Sequence, residues 1–206
     1  MKFLNVINQR LSTYTPEEII DWAFTESQRA LTSTTFGDKS AALLHMVMQR
    51  QKMATVLWVD TGYNTPATYR YADKLIKKLN LNMQIYTPQM TSVRRNVMMG
   101  GIPDIDDPLH KEFTRQVKLE PFRRATDILK PPIWITGIRK HQSEFRESLD
   151  IVSYTEAGYL KVAPLLNVSD EDIDQYLLDH DLPNEPDYFD PTKVFSNREC
   201  GLHTQI

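Results

Sequence analysis

The sequence predicts an α/β protein: an open, doubly wound, mostly parallel sheet followed by a C-terminal tail. Three observations carry that expectation. The first ninety residues alternate short β-branched or apolar runs with longer segments of helical periodicity, the pattern of a parallel sheet wrapped by helices. Residues 54–59, Ala-Thr-Val-Leu-Trp-Val, form a continuous apolar run, as a strand covered on both faces requires. Three candidate strands stop at loops containing glycine, at Phe36-Gly37-Asp38, Asp60-Thr61-Gly62 and Gly137. In open α/β sheets, ligands sit outside the carboxyl ends of the strands.

In chain order, residues 1–14 read as an amino-terminal arm. Thr15-Pro16-Glu17-Glu18 then supplies an N-cap, a proline at the first helical position and a glutamate at N3. Ile19, Ile20, Trp22, Ala23, Phe24 and Ala30 follow at helical spacing, a helix of about four turns. Residues 31–35 read as a strand and 39–51 as a helix carrying Ala41, Leu43, Leu44, Met46 and Val47. The apolar strand 54–59, a helix over 66–79 and a strand over 82–87 complete the alternating half. Residues 88–131 are less regular, because Gly100-Gly101, Pro103 and Pro108 interrupt the pattern. Helical stretches are expected over 108–117 and 121–130, and a fourth strand over 133–136. Residues 138–150 read as a polar, basic loop and 151–165 as a hairpin or two strands. Ser169-Asp170-Glu171-Asp172 caps a helix that runs to about His180. From Asp181 the chain is rich in proline and aspartate and reads as an irregular tail. The expected division is an α/β domain over 1–180 and a tail over 181–206.

Composition narrows the function. The 206 residues carry a net charge of -3, with 41% hydrophobic and 25% charged residues. That balance gives no global attraction to nucleic acid or to an anionic membrane, so an anionic ligand needs a local cluster of cations. Cys200 is the single cysteine, which excludes an intramolecular disulfide and a four-cysteine zinc or iron–sulfur site within one chain. The histidines at 45, 110, 141, 180 and 203 lack close ligand spacing, so no metal site is expected. The first residues do not open onto an apolar signal core, and no run of about 18 apolar residues exists to span a bilayer. The expected compartment is the cytoplasm.

Four stretches carry chemistry. Ser33-Thr34-Thr35-Phe36-Gly37-Asp38-Lys39-Ser40 lies between a strand and a helix. Small hydroxyl residues and a glycine there can turn backbone N–H groups toward an anion at the helix amino terminus. The same residues also suit an ordinary capped turn, and the stretch is not a Walker-type loop. Asp60-Thr61-Gly62-Tyr63 could border a purine or simply form a glycine turn in which Asp60 caps the backbone. Lys118, Arg123 and Arg124, and then Arg139, Lys140, His141 and Arg146, supply cations that are either solvated surface charges or guanidinium and ammonium groups for phosphate or sulfate. Finally, Arg198-Glu199-Cys200-Gly201-Leu202-His203 sets the lone thiol beside a guanidinium and an imidazole, the setting of a candidate nucleophile, although a free cysteine is often just a small buried hydrophobe.

Taken together, these stretches resemble the phosphoadenylyl-sulfate (PAPS) reductases, relatives of the adenylyl-sulfate reductases. The resemblance rests on Ser33-Thr34-Thr35-Phe36-Gly37, on Val59-Asp60-Thr61-Gly62-Tyr63, and on Lys118-Leu119-Glu120-Pro121. It rests further on Thr136-Gly137-Ile138-Arg139-Lys140-His141-Gln142-Ser143 with Arg146, and on Glu199-Cys200-Gly201-Leu202-His203, all in family order. It implies an adenine-nucleotide α-hydrolase-like sheet. It implies that Thr34, Thr35, Phe36 and Gly37 hold the phosphosulfate end, and that Asp60, Thr61 and Gly62 border adenine and ribose. Lys118, Arg139, Lys140 and Arg146 would hold phosphate and sulfate oxygens. Cys200, with His203 beside it, would attack the sulfonyl sulfur, and thioredoxin or glutaredoxin would supply the reducing thiol. No iron–sulfur cluster is expected, and the resemblance raises a homodimer. An ATP pyrophosphatase or adenylyltransferase on the same fold, independent of Cys200, is the alternative.

Overall fold

The computed structural model describes residues 2–193, and Cys200 and His203 lie outside the described residues. Along the chain run α1 (Lys2–Leu11), α2 (Pro16–Glu26), β1 (Leu31–Thr34), α3 (Ser40–Arg50), β2 (Thr55–Val59), α4 (Pro66–Leu79) and β3 (Asn82–Tyr86). There follow α5 (Ser92–Met99), α6 (Leu109–Thr114), a π-helical turn (Arg115–Leu119), α7 (Glu120–Leu129) and β4 (Ile133–Ile135). The last elements are a 3₁₀ turn (Lys140–Gln142), α8 (Glu144–Glu147), β5 (Val152–Tyr154), β6 (Leu160–Val162) and α9 (Asp170–Asp179). The strands form one sheet in the order β3-β2-β1-β4-β6-β5, parallel throughout except for the antiparallel β5–β6 pair.

Period-two alternation divides the core. Val56, Trp58, Ile133 and Ile135 face the larger layer, which holds Ile19, Ile20, Leu43, Leu44, Leu165 and Ile173. Their neighbours Leu31, Leu57 and Trp134 face Leu119, Phe122 and Ala125 on the other side. Burying each such side chain contributes roughly 1.5–3 kcal/mol. The helix caps follow the sequence. Thr15 Oγ1 accepts from Glu18 N–H at 3.2 Å while the Glu18 carboxylate accepts from Thr15 N–H at 2.7 Å. Ser169 Oγ accepts from Asp172 N–H at 3.0 Å, and so starts α9.

Several expectations change. The amino-terminal arm is the helix α1, and its Asn8 side chain exchanges two 2.8 Å hydrogen bonds with the Val152 backbone, covering edge strand β5. α2 ends at Glu26, a turn early, where Ser27 turns extended. Within 88–131, α5 is an additional helix: Thr91 caps its start, and Gly100 ends it at φ 75°, a left-handed position that suits glycine. The polar loop 138–150 contains the 3₁₀ turn and α8. Among the described residues, no helix is long and apolar enough to cross a membrane.

Candidate active site

β1 has β2 on one side and β4 on the other, so the connections diverge there and leave a crevice at the carboxyl ends of β1 and β4. A cleft of about 540 Å³ occupies that place. Its floor comes from Ser33, Thr34, Thr35 and Gly37, and its far wall from Thr136, Gly137, Ile138 and Arg139. Lys39, Lys118, Arg146 and Lys193 also line it.

The β1–α3 loop is held from beneath. Thr34 Oγ1 accepts from the Phe36 N–H at 3.0 Å. Phe36 takes φ 52°, rare outside glycine, and drives its ring fully into the core against Trp58, 4.9 Å away edge-on. The Phe36 ring therefore anchors the loop and is not among the groups lining the cleft. Gly37 meets the Tyr188 ring so closely that a Cβ would lie 2.9 Å from it, a contact only glycine admits. Below, Trp134 Nε1 donates to Ser33 Oγ at 2.8 Å.

The cations come from three directions. Lys118 sits in the π-helical turn, where the Glu120 N–H reaches back to the Arg115 carbonyl. Pro121 has no N–H for a regular bond to the preceding turn, which accounts for the widening, and such turns recur at functional sites. Lys118 is buried and forms an ion pair with Asp190, itself buried. Arg139 follows β4 and is also buried, and its Nη2 lies 3.0 Å from Asp170 at the first turn of α9. The Gln142 side-chain oxygen accepts from the Arg139 N–H at 3.1 Å and from the Arg146 guanidinium, tying the two arginines together. Lys39 Nζ lies 2.7 Å from Asp174 and 3.4 Å from Asp170, and His141 Nε2 lies 3.2 Å from Asp170.

These charges set one another. Burial pushes the Arg139 guanidinium pKa down, against the opposing pull of Asp170 and Asp38. Burial would raise Asp170, but Arg139, Lys39 and His141 outweigh it and hold the carboxyl below its ordinary value. Asp190 behaves alike: burial raises it, and Lys118 with the Thr192 hydrogen bonds brings it below the ordinary value.

Of the residues singled out from sequence, Thr34, Thr35, Gly37, Lys118, Arg139 and Arg146 line this cleft. Asp60, Thr61, Gly62 and Lys140 do not. Asp60 caps its own turn, its Oδ1 accepting from Gly62 N–H at 3.0 Å, from Asn64 Nδ2 at 3.1 Å and from the Tyr69 hydroxyl at 2.8 Å. Burial, together with Asp60, pushes the Tyr69 hydroxyl up to about 12. The Thr61 hydroxyl accepts from the Tyr63 N–H, and Gly62 takes φ 78°. Lys140 gives its N–H to the Leu166 carbonyl. Asp170, Asp190, Tyr188 and Lys193 were not anticipated as site residues. Asp170 carried only a helix-start signal, and Asp190 carried none. Among the described residues, no group of three or more His, Cys, Asp or Glu side chains could hold a metal ion.

Comparison with known proteins identifies the family and the fold. A family model described as phosphoadenosine phosphosulfate reductase domain matches residues 29–190. A phosphoadenosine 5'-phosphosulfate reductase from a Synechococcus strain is 35% identical over 187 residues, covering 89% of this chain and 79% of the relative. Another, from Xanthomonas campestris pv. campestris, is 33% identical and covers 98% of this chain and 93% of its own. Among solved structures, a phosphoadenylyl-sulfate reductase from Candida auris, in a phosphate complex, shares the fold with a TM-score of 0.76 at 23% identity, over 89% of this chain and 88% of that one. An FMN adenylyltransferase from Candida glabrata shares it more loosely, with a TM-score of 0.59 at 17% identity, covering 87% of this chain and 57% of that one. With a family model spanning most of the chain and curated relatives matched over nearly all of it, this protein belongs to the phosphoadenosine phosphosulfate reductase family.

Proposed function

We propose that the protein reduces 3'-phosphoadenylyl sulfate to sulfite and adenosine 3',5'-bisphosphate, an oxidoreductase step acting on sulfur in sulfate assimilation, by way of an S-sulfocysteine on Cys200. The observation that carries this reading is the cation cluster. Lys118, Arg139 and Arg146 are buried, and with Lys39 they line one cleft around the β1–α3 loop. Cations gathered at the strand ends suit a polyanion whose oxygens can join or replace the carboxylates they already meet. Thr34, Thr35 and Gly37 would carry the phosphosulfate end. Asp60, Thr61 and Gly62, at the end of β2, would border the nucleoside.

In the first step the Cys200 thiolate attacks the sulfonyl sulfur. The S–S bond forms, the bond from sulfur to the bridging phosphate oxygen breaks, and adenosine 3',5'-bisphosphate leaves with the electron pair. The cleft cations offset the repulsion between thiolate and polyanion and stabilise the departing phosphate. Arg198 and His203 are near enough in sequence to favour the thiolate, while Glu199 opposes it. A thiolate of an external dithiol, thioredoxin or glutaredoxin, then attacks Cys200 Sγ and releases sulfite. Its second thiol resolves the mixed disulfide, so the dithiol supplies the two electrons. One cysteine per chain leaves no internal resolving thiol and no set of four thiolates for a cluster.

Intact-protein mass spectrometry after addition of 3'-phosphoadenylyl sulfate without reductant tests this directly. The expected result is a sulfite-sized mass increase located on Cys200 and absent from Cys200→Ser. No adduct on a folded protein with a free thiol would overturn the mechanism and favour ATP-dependent nucleotidyl chemistry on the same fold.

A further inference from the structure

The anion cleft is crossed by a strap, residues 184–193, that approaches it from α9. Asn184 Nδ2 donates to Asp38 at 2.7 Å, and its Oδ1 accepts from the Lys39 N–H at 2.7 Å. Tyr188 seats its ring on Gly37, and Asp190 pairs with Lys118. Two oxygens of the strap therefore sit on two donors of the cleft, a backbone N–H at the start of α3 and the ammonium of the π-helical turn. These are the kinds of donor that the oxygens of an anionic ligand would meet.

We propose that Asp190 is a displaceable counter-ion, holding Lys118 in place before substrate arrives, then yielding it to the substrate's anionic group and so loosening the strap that leads toward Cys200. This rests on the reading of the cleft as the phosphosulfate site. Two features of the pair favour exchange over a permanent pin. A buried ammonium requires a counter-charge whether or not ligand is present. Asp190 supplies it from a segment that is neither helix nor strand, so its withdrawal disrupts no ladder. The carboxylate is also divided. Oδ2 faces Lys118, while Oδ1 accepts from the Thr192 N–H at 3.0 Å and from the Thr192 hydroxyl at 2.7 Å. On leaving Lys118, Asp190 keeps both Thr192 bonds, and another anion can take its place at the ammonium. A phosphate or sulfate group that also reaches Arg139 and Arg146 supplies one with more contacts than a single carboxylate oxygen offers. Cys200 follows Asp190 by only ten positions, so the position of the strap bears on where the thiol can reach.

The test is Asp190→Asn, titrated separately with adenosine 3',5'-bisphosphate and with inorganic sulfate, beside the wild type. Removing a built-in competitor should tighten both ligands about five- to tenfold, because the free protein no longer gains from the pair. A purely structural pin would lower the melting temperature and leave both affinities unchanged or weaker, and that result overturns the proposal. If wild type fails to bind the nucleotide while Asp190→Asn still tightens sulfate, the counter-ion role stands and the substrate reading falls. Should Asp190→Asn not fold, Asn184→Ala loosens the strap at its other end without touching Lys118. It should tighten sulfate about twofold by the same linkage, and an unchanged affinity would count against the proposal.

Discussion

The two acids that meet the cleft cations sit in opposite surroundings. Asp170, at the first turn of α9, leaves 43% of its side chain exposed and faces Arg139, Lys39 and His141. Asp190, on the strap, leaves 7% exposed and faces Lys118, which is 6% exposed. Water reaches part of the first carboxylate, while its Oδ1, which meets Arg139 and Lys39, is buried, so its pairs are only partly screened. The second pair has little water to fall back on, so breaking it is costly. Asp190 thus lines the cleft with the cation it holds, whereas Asp170 reaches the cleft cations Arg139 and Lys39 from outside its lining.

The sharpest way to break this contrast is Lys118→Ala, which leaves the buried Asp190 carboxylate without its cation. Denaturant unfolding should show a loss of about 3 kcal/mol, the lower end for a broken buried pair because Thr192 still donates to Asp190. A loss below about 1 kcal/mol would place this pair with ordinary surface bridges. Acid titration comes next. Both carboxyls have folded-state values below the unfolded value of about 3.9, so the unfolded chain binds more protons between the two values. Their stabilisation is present above about pH 4 and is lost as pH falls through the folded values. Stability measured from pH 6 downward should flatten in both Asp190→Asn and Asp170→Asn, and an unaltered pH dependence in either variant would remove that carboxyl's pairing from the contrast. The smallest effect belongs to Asp170→Ala, which should cost about 1–2 kcal/mol of stability, because the exposed part of the carboxylate is screened while the buried Arg139 loses this partner. Urea midpoints for this variant beside Lys118→Ala measure the gap between the two regions.

What the sequence made legible follows from the range of each signal. β1 to β4, α3, α4 and α9 are marked by local periodicity and, for α9, by the cap at Ser169, and all fall where expected. α1 carried a readable stripe, Leu4, Ile7 and Leu11, but no strong cap, and exposed Phe3 and Val6 blurred its polarity. α5 was hidden because Gly100 was read as a breaker when it is the left-handed end of a helix. The cations of the site were visible as residue types, while their burial was not. Lys118 and Asp190 are 72 positions apart, and a pairing at that distance exists only once the sheet has folded. Phe36 shows the reverse: its place in the motif suggested a ligand contact, and its ring lies in the core.

The hydrogen bond from the Trp134 indole to Ser33 has an optical consequence. Indole emission responds to the polarity around its N–H, and this N–H ends on a hydroxyl of the cleft floor, with the ring otherwise fully buried beside Phe122. Trp22 lies in the opposite layer among α2 residues, and Trp58 lies beneath Phe36. The protein therefore carries an intrinsic fluorophore bonded to the floor of its cleft, and a ligand that disturbs Ser33 should change its emission without an added label.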